Sequence, residues 1–178
     1  MVNNSFFDSS ILKMMKCNTG IFLKELSENQ PVMLVFLRHF GCAFCREGLD
    51  EISKKRSVIE ANGTKIVFVH MTDNKTAEKY FKEFNLPDAI HISDPECEYY
   101  MAFGLIKGNF GQLFGFQNWA RAFNTGIVKG YGWANQIGDG FQMPGIFIIS
   151  GTEVRDSFVH KFASDQPDYV ELSKCCQI

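Results

Sequence analysis

Apolar runs alternate with amphipathic stretches along the first half of the chain. Val32-Met-Leu-Val-Phe-Leu37 is uninterrupted and follows Pro31, the pattern of a strand buried on both faces. Gly41-Cys-Ala-Phe-Cys45 comes next. A helical pattern follows, with Leu49, Ile52 and Ile59 on one face and Asp50, Glu51, Lys54 and Lys55 on the other. Asn62-Gly63 suits a left-handed helix end. Lys65-Ile-Val-Phe-Val69 reads as a second buried strand. Asp73 or Asn74 opens a helix through Phe84, with Ala77, Tyr80, Phe81 and Phe84 apolar. Two strand–helix units in succession predict parallel strands joined by a right-handed crossover.

The second half has a different texture. Residues 104–142 are rich in glycine and carry Phe110, Phe114, Phe116, Trp119, Phe123, Tyr131, Trp133 and Phe141, with few charges. A structureless segment of that length is unusual inside a domain, so some helix is expected there. Gly145-Ile-Phe-Ile-Ile149 is a third strand, Gly151-Thr-Glu153 a turn, and Val154 to His160 a hairpin-paired fourth strand. Asp165-Gln-Pro167 marks the start of a last helix through Leu172. Residues 1–20 and 174–178 are expected to be loose.

Composition narrows the class. The 178 residues are 46% hydrophobic and include 18 phenylalanines, which fits one α/β domain with a real core. Lys+Arg at 18 against Asp+Glu at 20 leaves no basic excess for a nucleic-acid partner. No run approaches a membrane span, and the N-terminus does not read as a secretory signal. A cytoplasmic, reducing setting is the expectation, and there a close cysteine pair points to catalysis or metal rather than a structural bridge.

Cys42-Ala-Phe-Cys45, between a strand and a helix, is the sharpest chemical feature. Free N–H groups and the positive end of the dipole at a helix start favour a thiolate, the form that attacks peroxides and disulfides. Arg38, His39 and Arg46 add donors or charge nearby. Cys42, nearer the strand end, is expected to have the exposed sulfur and the lower pKa, with Cys45 shielded one turn on. Two other readings stand beside this one. The pair is half a zinc site, with His91 and Cys97 as remote partners, or it is two buried structural thiols. His70, His91 and His160 read as structural, and so do Cys17 and Cys97. Asp139 reads as a turn residue. Cys175-Cys176-Gln-Ile178 lacks the aliphatic positions of a prenylation tail.

The order of elements, with Met143-Pro144 directly before a strand, resembles the thioredoxin fold: a central mixed sheet flanked by helices, with the aromatic, Gly-rich insertion ahead of that proline. Phe36-Leu-Arg-His-Phe-Gly-Cys-Ala-Phe-Cys-Arg46 is more specifically similar to the peroxiredoxin-like branch of the alkyl hydroperoxide reductase/thiol-specific antioxidant superfamily. So are Asp94-Pro95 with Tyr100 and Phe103-Gly104-Leu105, Gly138 to Gly145, and the tail from His160 through Ala163-Ser-Asp-Gln-Pro-Asp-Tyr169. The resemblance implies thiol redox chemistry. Cys42 would act as nucleophile and Cys45 as resolving thiol, with Pro144 in a cis bond facing them. The substrate would be a peroxide or disulfide and the reductant an external dithiol of thioredoxin or glutathione type. No cofactor or metal is implied. The chain departs from the usual Pro-x-x-x-Thr-x-x-Cys. Aligning Cys45 with that cysteine puts Cys42 at the threonine and Arg38 at the proline; aligning Cys42 puts His39 at the threonine. A thioredoxin-like protein disulfide reductase and a non-enzymatic scaffold therefore remain as alternatives.

Overall fold

The computed structural model describes residues 7–108, 138–162 and 164–176. Phe110, Phe114, Phe116, Trp119, Phe123, Tyr131 and Trp133 lie outside the described residues. Strands β1 (Val32–Phe36), β2 (Lys65–His70), β3 (Ile90–Ser93), β4 (Gly145–Ser150) and β5 (Glu153–Val159) form one mixed sheet, ordered β3-β2-β1-β4-β5. Strands β1, β2 and β3 are parallel, and β4 runs antiparallel to both β1 and β5.

Alternation along β1 explains its unbroken apolar sequence. Val32, Leu34 and Phe36 join Val67, Val69, Phe147 and Ile149 on one face. Met33 and Val35 join Ile66, Phe68, Ile146 and Ile148 on the other. The first face is covered by a 3-10 turn at Ser9–Lys13, α1 (Leu23–Asn29) and α4 (Glu98–Ala102). The second is covered by α2 (Ala43–Ala61), α3 (Asn74–Glu83) and α5 (Tyr169–Ser173). A strand between two helical layers has no polar face, so period-two alternation never appears in its sequence.

Helix α2 ends as expected, with Gly63 at φ +82°. Asp73 caps α3 by accepting from the Thr76 amide at 2.9 Å. Three expectations change. The strand β3 is additional: only four residues long, and its His91 breaks the apolar pattern. The last helix begins at Tyr169, because Asp165 is committed to a turn. Its carboxylate accepts from the Lys161 and Phe162 amides, both at 2.8 Å, and leaves Asp168 to cap α5. Most of the stretch before α1 is tied down rather than loose, since Leu12, Met15 and Cys17 are buried in the first core layer.

Gly145 opens β4 opposite Phe36. A Cβ there would come within 2.6 Å of Leu105 Cδ2, and Leu105 is itself buried. Gly145→Ala should therefore destabilise the fold by about 1–3 kcal/mol, the usual cost of overpacking a core. A lowered urea midpoint at unchanged slope is the expected result.

Candidate active site

The chain leaves β1 at Leu37, whose amide donates to the Val69 carbonyl at 2.9 Å. The fully buried Tyr100 donates its hydroxyl to the Leu37 carbonyl, with the Val69 carbonyl 3.1 Å away. Asp94 sets that tyrosine in place by accepting from the amides of Glu98, Tyr99 and Tyr100 at 3.0, 2.8 and 3.2 Å. The loop 38–41 then leads into α2, with Cys42 at the N-cap and extended at φ -82°, ψ 123°. Tyr100→Phe would strand the Leu37 carbonyl beside this loop. A loss of about 1–3 kcal/mol is expected, the cost of one buried unpaired acceptor, measurable by thermal or urea unfolding.

Arg38 is the organising charge. Its side chain is 7% exposed; Nε donates to the Gly140 carbonyl at 2.9 Å, and Nη1 lies 3.5 Å from Cys42 Sγ. Among the described residues no carboxylate pairs directly with it. Asp139, which senses Arg38 at longer range, is ion-paired with Lys107 at 2.7 Å. A buried guanidinium needs an anion, and the Cys42 thiolate is the group it faces.

The two thiols divide accordingly. The Cys45 S–H donates toward Cys42, and Arg38 adds its charge; together they hold the Cys42 thiol below the ordinary cysteine range against the opposing effect of burial. The Phe44 and Cys45 amides favour the same thiolate as nearby dipoles, without closing a capping hydrogen bond on the sulfur. Cys45 is pushed well up, because its proton is held toward Cys42 and because its surroundings desolvate the charged form. The two thiols are thus inequivalent, with Cys42 lowered and Cys45 raised.

Exposure runs the other way from expectation. Cys42 is 6% exposed, packed with Phe44 and Met143, whereas Cys45 is half-buried. Met143 comes from a distant segment to pack on Cys42, and a chain read in one dimension cannot show that cover. Arg46 is also displaced from its expected role. Its guanidinium sits over the Phe84 ring, 5.1 Å from the centroid. His39 contributes through its backbone, its carbonyl accepting the Cys42 amide at 3.0 Å. Burial, then Arg38, pushes its imidazole down to about 4, so the ring is neutral at neutral pH. Pro144 does reach the site, beside Cys45, but no cis bond occurs among the described residues and Met143–Pro144 is trans. The proline stands just before β4, where it removes no ladder donor and the extended chain runs straight into the strand.

Gly140, whose carbonyl orients Arg38, had no side chain to announce it; its only sequence signal was the Gly138-Asp139-Gly140 motif. Asp139 makes the expected turn, accepting from the Phe141 amide at 2.8 Å. His91 pairs with His70 at 2.9 Å in the core and is not brought to the cysteines. Among the described residues no group of three or more His, Cys, Asp or Glu could hold a metal ion, and no helix is long and apolar enough to cross a membrane.

Residues 51–161 match the family model of the AhpC/TSA antioxidant enzymes. The chain belongs to the AhpC/TSA antioxidant-enzyme family. The matched span begins after Cys45, so the cysteine pair itself lies outside it. A prostamide/prostaglandin F synthase of Salmo salar is 30% identical over 89% of this chain and 80% of its own length. The chloroplastic thioredoxin-like protein AAED1 of Arabidopsis thaliana is 23% identical over 86% of this chain, which spans 65% of that relative. Peroxiredoxin 6 of Arenicola marina shares the fold, with a TM-score of 0.66 at 11% identity over 97% of this chain and 70% of its own. The expected thioredoxin-type α/β fold and peroxiredoxin-like family thus hold, and the family's thiol-based antioxidant function comes with them.

Proposed function

We propose that this chain reduces peroxides through Cys42 and Cys45, and that the observation carrying this reading is the buried Arg38 guanidinium 3.5 Å from the Cys42 sulfur at the start of α2. The Cys42 thiolate attacks one peroxide oxygen. The O–O bond breaks, an alcohol or water departs, and Cys42 becomes a sulfenic acid. Cys45 then condenses with it, giving a Cys42–Cys45 disulfide and a second water. An external dithiol of thioredoxin or glutathione type reduces that disulfide by exchange. The cycle requires a reducing compartment, and we place it in the cytoplasm. The Salmo salar relative is named a prostamide/prostaglandin F synthase, which supports a bulky substrate.

Oxidation of a dithiol reductant should be followed with hydrogen peroxide, an organic hydroperoxide or a model disulfide as the sole oxidant. Faster turnover on either peroxide than on the disulfide is the expected result. Turnover on the disulfide alone would make the protein a disulfide reductase instead. No turnover on any of the three would leave a binding module.

A further inference from the structure

The tail from His160 to Tyr169 has no part in the chemistry described so far, yet it folds against Cys45. Gln166 Nε2 donates to the Phe44 carbonyl at 3.0 Å, and the Tyr169 hydroxyl donates to Gln166 Oε1 at 2.9 Å. Gly48 leaves room for this tail on helix α2, since a Cβ there would lie 2.9 Å from the Tyr169 hydroxyl oxygen. The result is a cleft of about 30 Å³, on the scale of a single water molecule, that Cys45, Pro144, His160, Gln166 and Tyr169 share.

His160 Nδ1 is buried and has no hydrogen-bond partner among the described residues. The Gln166 amide and the Tyr169 hydroxyl, the other polar donors of the cleft, are already committed. The Cys45 S–H is committed only while Cys42 is a thiolate. Once Cys42 is a sulfenic acid, that anionic acceptor is gone, and His160 Nδ1 is the acceptor that lines the same cleft.

We infer that His160 accepts the Cys45 proton during closure of the Cys42–Cys45 disulfide. The inference rests on the roles proposed above for the two cysteines. As the Cys45 S–H bond breaks, its sulfur bonds to the Cys42 sulfur and the sulfenic S–O bond breaks. The imidazolium returns the proton to the departing hydroxide, and water leaves. Cys45 is oxidised, the sulfenic sulfur is reduced, and no outside reactant is consumed. Burial holds the imidazole down to about 4, against the pull of Asp165 and of the Pro144 and Asp165 backbone, so the ring is neutral at neutral pH; we place its one remaining proton on Nε2, which leaves the unpartnered Nδ1 as the acceptor. Of the charged and titratable groups facing it, Asp165 is tied to the Lys161 and Phe162 amides, Tyr169 to Gln166, and Cys45 is the proton donor.

The test separates the two chemical steps. One equivalent of peroxide is added to reduced protein, Cys42 sulfenic acid is trapped with dimedone at timed intervals, and disulfide closure is followed in parallel. Wild-type closure should be nearly independent of pH between about pH 6 and about pH 8.5, because the base is free throughout. In His160→Gln, Cys45 must first ionise to solvent. Closure should slow at least about tenfold near neutral pH and rise about tenfold per pH unit, while sulfenic acid forms at the wild-type rate. Gln166→Leu disturbs the same cleft without removing a base and should keep the flat profile. Wild-type closure kinetics in His160→Gln, or a steep profile in Gln166→Leu as well, would overturn the inference. Failure of the wild type to form any sulfenic acid on Cys42 would overturn the underlying roles of the cysteines, and is read from a different signal.

Discussion

Cys42→Ser should reduce peroxide consumption to the uncatalysed rate, and Arg38→Met should cut it by about tenfold or more near neutral pH. The first variant removes the nucleophile. The second removes the charge 3.5 Å from it. An opposite charge at that range typically moves a titrating group by about 1–3 pH units, so the Cys42 thiolate would be a minor species at neutral pH without Arg38. Alkylation separates the contributions. Iodoacetamide should modify Cys42 before Cys45, despite the deeper burial of Cys42, because the rate follows the thiolate. In Arg38→Met the midpoint of the alkylation profile should move to higher pH. In Cys45→Ala the same midpoint should also rise, because the S–H that donates to Cys42 is gone, and that variant, like Cys45→Ser, should stop after one round with Cys42 trapped as sulfenic acid. Faster alkylation of Cys45 than of Cys42 would reverse the roles. The chain would then sit nearer the peroxiredoxin pattern in which Cys42 occupies the threonine position.

The parts of this site that were legible in sequence are those set by local spacing. A buried strand, a glycine, a cysteine and then a helical period are enough to place Cys42 at a helix start. The unbroken apolar character of Val32–Leu37 is enough to bury β1 on both sides. What escaped depends on contacts between distant segments. Cys42 is packed by Met143, distant in the chain, and Arg38 beside it reaches 102 residues along the chain to Gly140. Arg46 lies over Phe84 at the end of α3. The strand β3 is four residues long, and His91 sits in it because His70 on the neighbouring strand supplies its partner. The trans bond at Met143–Pro144 follows from the same limit. A proline next to a strand has two acceptable geometries, and the path of the chain from Ile106 past Met143 into β4 selects between them.

Acid should unfold the domain well above the pH at which its carboxylates protonate. Its histidines, His39, His70, His91 and His160, are all held below their ordinary range by burial. Burial and the neighbouring His91 push His70 down to about 3, and His39 and His160 lie at about 4. In the unfolded chain each returns to about 6.5. Between these values the unfolded state binds protons that the folded state refuses, so stability falls as pH drops, and above about pH 6.5 these groups contribute no slope. With three such residues charging only on unfolding, the slope near pH 5 approaches roughly 4 kcal/mol per pH unit, at about 1.36 kcal/mol per proton. Domains of this kind have about 5–15 kcal/mol to lose. Asp94, whose carboxyl is raised by burial, opposes the trend as a single group. The exposed capping carboxylates Asp73 and Asp168, held low by hydrogen bonds to Thr76 and to the Glu171 amide respectively, add their losses only at lower pH. Circular dichroism should therefore show a steep transition between about pH 5.5 and about pH 4, and urea midpoints that are level from about pH 7 upward. A midpoint that stays level down to about pH 4 would mean that the buried imidazoles find water or a proton partner in the folded state.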